Sequence, residues 1–356
     1  MVRSLALLTT PTTFRKAAPD MSDRPLDEPI LVTGATGFIG RRLTARLLAD
    51  GCRPRALVLP GDAVPIEWGD RVEVIRGDVT RRADVGRAVQ DAATVFHLAA
   101  VVSDWASPEL YRKVTLRGTE HVLDAVAQRH ARALLVSSVA VYGDALRRRQ
   151  CDERMELGRA SGRYGRSKQA QERIAYRLEA QQGLRMTIVR PATVYGPRCY
   201  RWVDRLIQRL RNRQPVLVGD GERSAGLTYV DNLIDLLLRA AGTPAAVGRI
   251  YNATDDHEIT WRRYVHDLAE LADAPKPKSL PLWIAQGAAY GFETTYRWRK
   301  RSDRPPLTRD AVDAMAAHHR VPIDKARRDL GYDPRVSYTE GMAAVAAHLA
   351  QESGAR

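Results

Sequence analysis

The chain has 356 residues, 44% of them apolar, enough for one large α/β domain and a smaller lobe around a sizeable core. A net charge of +14 favours anionic partners such as phosphorylated cofactors, acidic substrates or an anionic membrane. The basic residues are spread along the chain without a nucleic-acid-binding motif, no apolar run reaches the length of a membrane span, and Cys52, Cys151 and Cys199 lack any metal-ligand spacing, so a nucleic-acid partner, a transmembrane segment and a metal centre are set aside. Three scattered cysteines suit reduced thiols in the cytoplasm.

Residues 1–20 are Thr-rich and nearly free of acids. They read as a floppy tail or as an overlong gene start with the true start at Met21, ahead of a third reading as a transit-like segment. Residues 1–28 are therefore expected to be a flexible N-terminal extension. "PILVTGATGFIGRRLTARLLADG" then reads as a short apolar strand, a glycine-rich turn and an amphipathic helix stopped at Gly51. Gly34 permits the tight turn, Gly37 lets backbone N–H groups approach a pyrophosphate, and Gly40 lets the helix pack on the strand. The helix N-terminus adds about half a positive charge towards the phosphates. Strand-like runs follow at 55–59, 72–78, 94–100, 133–138 and 185–191, mostly separated by helical patterns. That rhythm predicts an α/β fold of Rossmann type, a doubly wound parallel sheet with right-handed crossovers. The boundaries expected are a dinucleotide-binding core over 29–190 and a smaller, mainly substrate-binding α/β lobe over 191–356, with elements returning to the core.

Ligands of such sheets sit beyond the carboxyl ends of the strands. Asp78 ends one strand and can accept from an adenine amino group. Small Ala99 and Ala100 end another, and Ser137-Ser138 the next. The second strand closes at Leu59 and Pro60-Gly61-Asp62 follows. Asp62 is too far along to reach a ribose hydroxyl, and Arg41 and Arg55 are the candidate partners of a 2′-phosphate, so the cofactor is NAD or NADP.

"SGRYGRSKQAQE" opens a helix over 163–182 that stops at Gly183. Tyr164 and Lys168, four residues apart, share a face with Ala175 that can turn towards the cofactor. A free phenol has a pKa of about 10 and must fall by roughly two to three units, about 3–4 kcal/mol, to act as a base near neutrality. A unit charge at about 4 Å supplies about 1 kcal/mol in water and about 4 kcal/mol at an effective dielectric of 20. Lys168 therefore suffices only in a site closed to solvent.

"TGATGFIG", "HLAA", "SSVAVYG", "YGRSK", "RPATVYGP" and "YVDN", in that order, resemble the extended short-chain dehydrogenase/reductase superfamily, also called the NAD-dependent epimerase/dehydratase family, over about residues 29–345. The resemblance implies an enzyme in which Tyr164 is the general acid/base, Lys168 supports it and holds the nicotinamide ribose, and Ser138 orients the substrate oxygen. It implies a cofactor lined by Gly34, Thr36, Gly37, Phe38, Ile39 and Gly40 of the turn. Further contacts are Asp78, Val79, Leu98, Ala99 and Ala100 of the following strand ends, then Tyr164 and Lys168, with Pro191 and Val194 on the far side.

Two departures narrow the reaction. Dehydratases of this superfamily carry an Asp-Glu pair just after the active-site hydroxyl residue, where this chain has Val139-Ala140. Nucleotide-sugar enzymes place Asn where this chain has Thr193. "RPPLTRDAV" (304–312) and "PIDKARRDLGYDPRVSYTEGM" (322–342) resemble the 3β-hydroxysteroid and sterol dehydrogenase branch, whose bacterial relatives include reductases of long-chain 2-alkyl-3-keto acids. "DKARRDLGYDP" itself reads as a short helix ended by Gly331. The expected reaction interconverts a secondary alcohol and a ketone on an apolar small molecule, a 3-hydroxy/3-keto steroid-like or long-chain β-keto compound. A nucleotide-sugar 4-epimerase and a dinucleotide-sensing binding protein are the alternatives. Ser103, Asp104 and Trp105 after "HLAA" face Val194, Tyr195 and Arg198 as substrate contacts, with Trp105 as an apolar wall and Arg198 as a partner for a substrate carboxylate. The segment 279–304, apolar in its first half and basic in its second, fits a lid or an interfacial segment making peripheral membrane contact. It fits a core or homodimer helix equally well.

Overall fold

The computed structural model describes residues 26–160 and 162–354. The readings of residues 1–20 as a tail and of Met21 as the true start lie outside the described residues; of the 1–28 extension, Leu26 packs against the core. Eleven strands are named among the described residues: β1 (Ile30–Thr33), β2 (Arg55–Val58), β3 (Glu73–Arg76), β4 (Thr94–His97), β5 (Arg132–Val136), β6 (Arg185–Pro191), β7 (Thr193–Tyr195), β8 (Pro215–Val218), β9 (Leu227–Tyr229), β10 (Arg249–Ala253) and β11 (Lys278–Leu280). Seven of them form a sheet in the order β10-β6-β5-β4-β1-β2-β3, every neighbouring pair parallel.

The strands are short runs of Ile, Leu and Val because both faces are covered. β1 and β4 are buried along their whole length. Alternate side chains divide between two cores. Ile30, Val32, Phe96 and Leu134 point to one, with Leu43 and Leu47 of the helix Phe38–Ala49. Leu31, Val95 and Leu135 point to the other, with Val122 and Leu178. Strand order reverses between β1 and β4, so the crevice for a ligand opens at their carboxyl ends.

The 20-residue helix Arg163–Gln182 has the expected bounds. Gly183 ends it in the left-handed conformation, φ +66°, and its N–H donates to Glu179 O at 3.0 Å. Ala175 lies in the core beneath the helix, not on the cofactor-facing side expected of it. The C-terminal third contributes β10 to the edge of the main sheet and builds two small parallel pairs, β7 with β9 and β8 with β11. Its helices include Leu282–Trp298, Arg309–Ala316 and the short Asp324–Leu330, which ends at Gly331 in the left-handed region as the sequence implied.

Candidate active site

A cleft of about 1270 Å³ runs from the glycine turn, across the carboxyl ends of β1, β4 and β5, to the C-terminal lobe. Gly34 adopts φ +68°, and a Cβ there would lie 2.9 Å from Ala99 N. A Cβ on Gly40 would lie 2.1 Å from Gly34 O, so only glycine lets the helix start this close to β1. The helix Phe38–Ala49 has no side-chain cap and no acid in its first turn, which leaves its N-terminal N–H groups directed at the cleft. This cradle fits a dinucleotide pyrophosphate. All fifteen residues expected at the cofactor line this cleft: Gly34, Thr36, Gly37, Phe38, Ile39, Gly40, Asp78, Val79, Leu98, Ala99, Ala100, Tyr164, Lys168, Pro191 and Val194. Sequence reasoning placed Asp62 out of reach, yet it lines the cleft and its Oδ2 accepts from Thr36 Oγ1 at 2.7 Å. The loop after β2 folds back over the glycine turn, a path that strand length alone does not give.

Ser138, Tyr164 and Lys168 line the floor of the same cleft. Ser138 sits just past β5, caps the turn that follows by accepting from Ala140 N at 3.2 Å, and lies close enough to the Tyr164 phenol to favour its charged form. The electrostatics differ from the expectation. Burial pushes the Tyr164 phenol above its ordinary 10, and Arg201 with Ser138 oppose that shift without cancelling it. Lys168 is buried and donates to Val136 O and Gln171 Oε1, both at 2.9 Å, so its amine is directed at the end of β5 and its own helix. The cation bearing on the phenol is Arg201, whose guanidinium carbon stands 5.7 Å from the ring centroid. At about 6 Å and an effective dielectric of 20, a unit charge contributes about 3 kcal/mol, roughly two pK units. Desolvation outweighs it here.

Beneath the floor, two buried networks fix these groups. Gln171 Nε2 donates to Thr119 Oγ1 at 2.8 Å, Thr119 Oγ1 is 2.9 Å from His97 Nε2, and His97 Nδ1 is 2.8 Å from Thr33 Oγ1. His97 is held neutral, its pKa lowered to about 3 by burial and by the Lys168 charge. The chain of contacts thus joins Lys168 to the end of β1. In the second network Glu172 pairs with Arg190 and accepts from Ser137 Oγ at 2.6 Å, while Arg190 also donates to Tyr142. Both serines line the cleft, but the Ser137 hydroxyl is committed to Glu172, which leaves the Ser138 hydroxyl as the one beside the phenol.

Towards the C-terminal lobe, Trp105 and Arg198, which the sequence offers as substrate contacts, line the cleft. Trp105 meets Tyr296 edge-on at 6.3 Å and lies under Arg297. Tyr195 does not reach the cleft. It is fully buried among Tyr229, Tyr264 and Tyr338, because neighbouring strand residues point to opposite sides and Val194 takes the cleft side. Ser103 also falls outside the lining: its hydroxyl caps Trp105 N at 3.1 Å and its carbonyl accepts from Tyr111, so it shapes the loop. Asp104 is bound by Arg304 and Thr308 of the C-terminal lobe. Burial pushes its carboxyl up, but Arg304 outweighs burial and holds it well below the usual carboxylate range. Asp310 lines the cleft as well, and burial with Asp104, Glu293 and Asp313 pushes it up to about 6. Among the described residues there is no cluster able to hold a metal ion and no helix long and apolar enough to cross a membrane.

The chain is similar along most of its length to proteins of known name. It is 29% identical over 335 residues to a 2-alkyl-3-oxoalkanoate reductase of Stenotrophomonas maltophilia, covering 88% of this chain and 97% of that one. It is 28% identical over 317 residues to 4-hydroxy-2-methyl-3-oxo-4-farnesyl-3,4-dihydroquinoline-1-oxide ketoreductase of Stigmatella aurantiaca, covering 88% and 94%. The structure of UDP-glucuronic acid 4-epimerase from Bacillus cereus in complex with NAD matches with a TM-score of 0.71 at 24% identity, over 91% of this chain and 99% of that one, and confirms the fold. The profile of the NAD dependent epimerase/dehydratase family matches residues 30–254, and with the glycine cradle and the cleft-floor hydroxyls on one sheet edge, the chain belongs to that family, as an oxidoreductase-type enzyme with a nicotinamide dinucleotide as its cofactor.

Proposed function

We infer that the enzyme interconverts a secondary alcohol and a ketone at the 3-position of an apolar steroid-like or long-chain β-keto compound. The observation that carries this reading is the pairing of the Ser138 and Tyr164 hydroxyls on the floor of one cleft whose lining also includes Trp105, Leu146 and Val312. Val139 and Ala140, which follow Ser138, supply no acid or base for elimination. The nicotinamide ring, when bound, supplies or accepts the hydride. Ser138 and Tyr164 hold the substrate oxygen. In reduction Tyr164, kept protonated by burial, donates the proton to that oxygen; in oxidation it takes the proton. Lys168 keeps one N–H beyond those given to Val136 and Gln171 for the ribose side of the cleft. Asp62 beside the glycine turn supports a free ribose 2′-hydroxyl, hence NAD. The test is nicotinamide absorbance with long-chain 3-keto or 3-hydroxy compounds against nucleotide sugars. Net oxidation or reduction of the apolar compounds is expected; epimerised nucleotide sugar with no net redox contradicts the reading, and cofactor binding without any turnover leaves only a sensor.

Burial lowers the Lys168 pKa from its ordinary 10.5 to about 8, with Glu172 opposing the shift. The buried charge thus costs stability below pH 8, and the cost is relieved as pH rises from 8 towards 10.5. NAD(P)H affinity of the wild type is expected to fall above pH 8, while Lys168→Met binds weakly with a flat profile. Urea unfolding is expected to show stability rising from pH 8 to 9.5 relative to Lys168→Met.

The helix Leu282–Trp298 buries only Ala285, Ala289 and Glu293. Trp283 and Trp298 are 75% and 79% exposed, Ile284 and Phe292 are exposed beside them, and Arg299, Lys300 and Arg301 follow. Tyr290 and Arg297 of the same helix line the cleft. These features support peripheral contact with an anionic membrane next to the cleft mouth. Flotation with anionic liposomes at low salt is expected, and is lost in a Trp283→Ser/Trp298→Ser variant; failure of the wild type to float discards this contact.

A further inference from the structure

Arg201 has a guanidinium with no acceptor among the described residues. It projects from a wide π-type turn, Tyr200–Asp204, into the cleft, where its guanidinium lies 5.7 Å from the Tyr164 ring centroid and 5.1 Å from that of Trp202. Its backbone N–H faces the Cys199 thiol, but among the described residues its guanidinium makes no hydrogen bond and no ion pair. Asp104 lies in its field but is committed to Arg304 and Thr308. Asp310 and Tyr111 also face it without bonding it, and Arg205 adds a second positive charge nearby. Five N–H donors, fixed in a planar fork over the acid/base residue, match a planar anion bound beside the reacting carbon.

We propose that Arg201 is a specificity residue that clamps the carboxylate of a 3-keto or 3-hydroxy acid while Ser138 and Tyr164 hold its 3-oxygen. This rests on the alcohol–ketone reading above and names its substrate class. In such an acid the carboxyl carbon is two bonds from the reacting carbon, about 2.5 Å away. A group held over the phenol therefore meets the carboxylate, and the chain beyond the reacting carbon is left to the wall at Trp105. Arg198, three residues earlier, is exposed at the rim. A neutral steroid or an ester offers Arg201 nothing of matching charge, and its guanidinium would then lose water without gaining a counter-ion.

The experiment compares a long-chain 3-hydroxy acid with its methyl ester, both oxidised with the dinucleotide in excess. The wild type is expected to favour the acid in kcat/KM. In Arg201→Met both rates fall through the lost field on Tyr164, and the acid-to-ester ratio falls a further 10- to 100-fold, the size of a charge-assisted hydrogen-bond pair. Arg201→Lys recovers part of the ratio, NAD(P)H affinity does not change, and Asp310→Asn raises the ratio a few-fold by removing a competing negative charge. Turnover of both compounds with no acid preference overturns the clamp and leaves the alcohol–ketone reading standing. An unchanged ratio in Arg201→Met, with the pH profile of kcat displaced upwards, also overturns it and assigns Arg201 to Tyr164 alone. No turnover of either compound overturns the reading and the clamp together.

Discussion

Tyr164→Phe is expected to bind NAD(P)H as the wild type does and to lose about 10²- to 10⁴-fold in kcat, the range of a removed general acid/base. The substitution deletes one oxygen from a half-buried ring and leaves the packing of the helix Arg163–Gln182 in place. It removes the hydroxyl beside Ser138 at the point where the proposed substrate oxygen would be held. Near-wild-type turnover in Tyr164→Phe, with affinity measured by cofactor fluorescence, contradicts the assignment.

The second large effect is on stability. Glu172 and Arg190 are both buried, with side chains 0% and 3% exposed, and are joined by two bonds of 2.9 and 2.6 Å. Glu172→Ala strands the Arg190 guanidinium between β6 and the helix, and removes the acceptor of Ser137. A loss of about 3–5 kcal/mol in urea unfolding is expected, because an uncompensated buried charge costs far more than the pair contributes. Replacing both partners, Glu172→Leu with Arg190→Met, is expected to recover most of that loss. A single variant within about 1 kcal/mol of the wild type contradicts this account of the cleft floor.

Much of the fold is local in origin, and so it is legible in the sequence. The glycines at 34, 37 and 40 state a backbone geometry directly, and Gly183 marks the end of its helix by a left-handed residue. Most strand cores are legible to within a residue or two, although 94–100 shortens to Thr94–His97 and frees Leu98, Ala99 and Ala100 to line the cleft. The strand β10 is not legible in the sequence, since five residues of mixed polarity identify no edge until β6 is beside them. Tyr195 could have been read correctly: once Val194 faces the cleft, alternation sends its neighbour to the core. The Asp104–Arg304 pair spans 200 residues, and the approach of Arg201 to Tyr164 depends on how the C-terminal lobe folds back. Spacing within one helix named Lys168 as the charge beside the phenol, but the tertiary fold put Arg201 there and turned Lys168 towards Val136 and Gln171.

In the proposed reaction, hydride passes to a carbonyl carbon whose oxygen is held by Ser138 and Tyr164. A single turnover with NADH or NADPH deuterated at the transferring position of the nicotinamide, and a long-chain 3-keto compound, tests it most directly. Deuterium on the carbinol carbon of the product, at one atom per cofactor oxidised and absent in Tyr164→Phe, is the result predicted. Product formed without that deuterium, or label retained in the cofactor while a nucleotide sugar is epimerised, contradicts it.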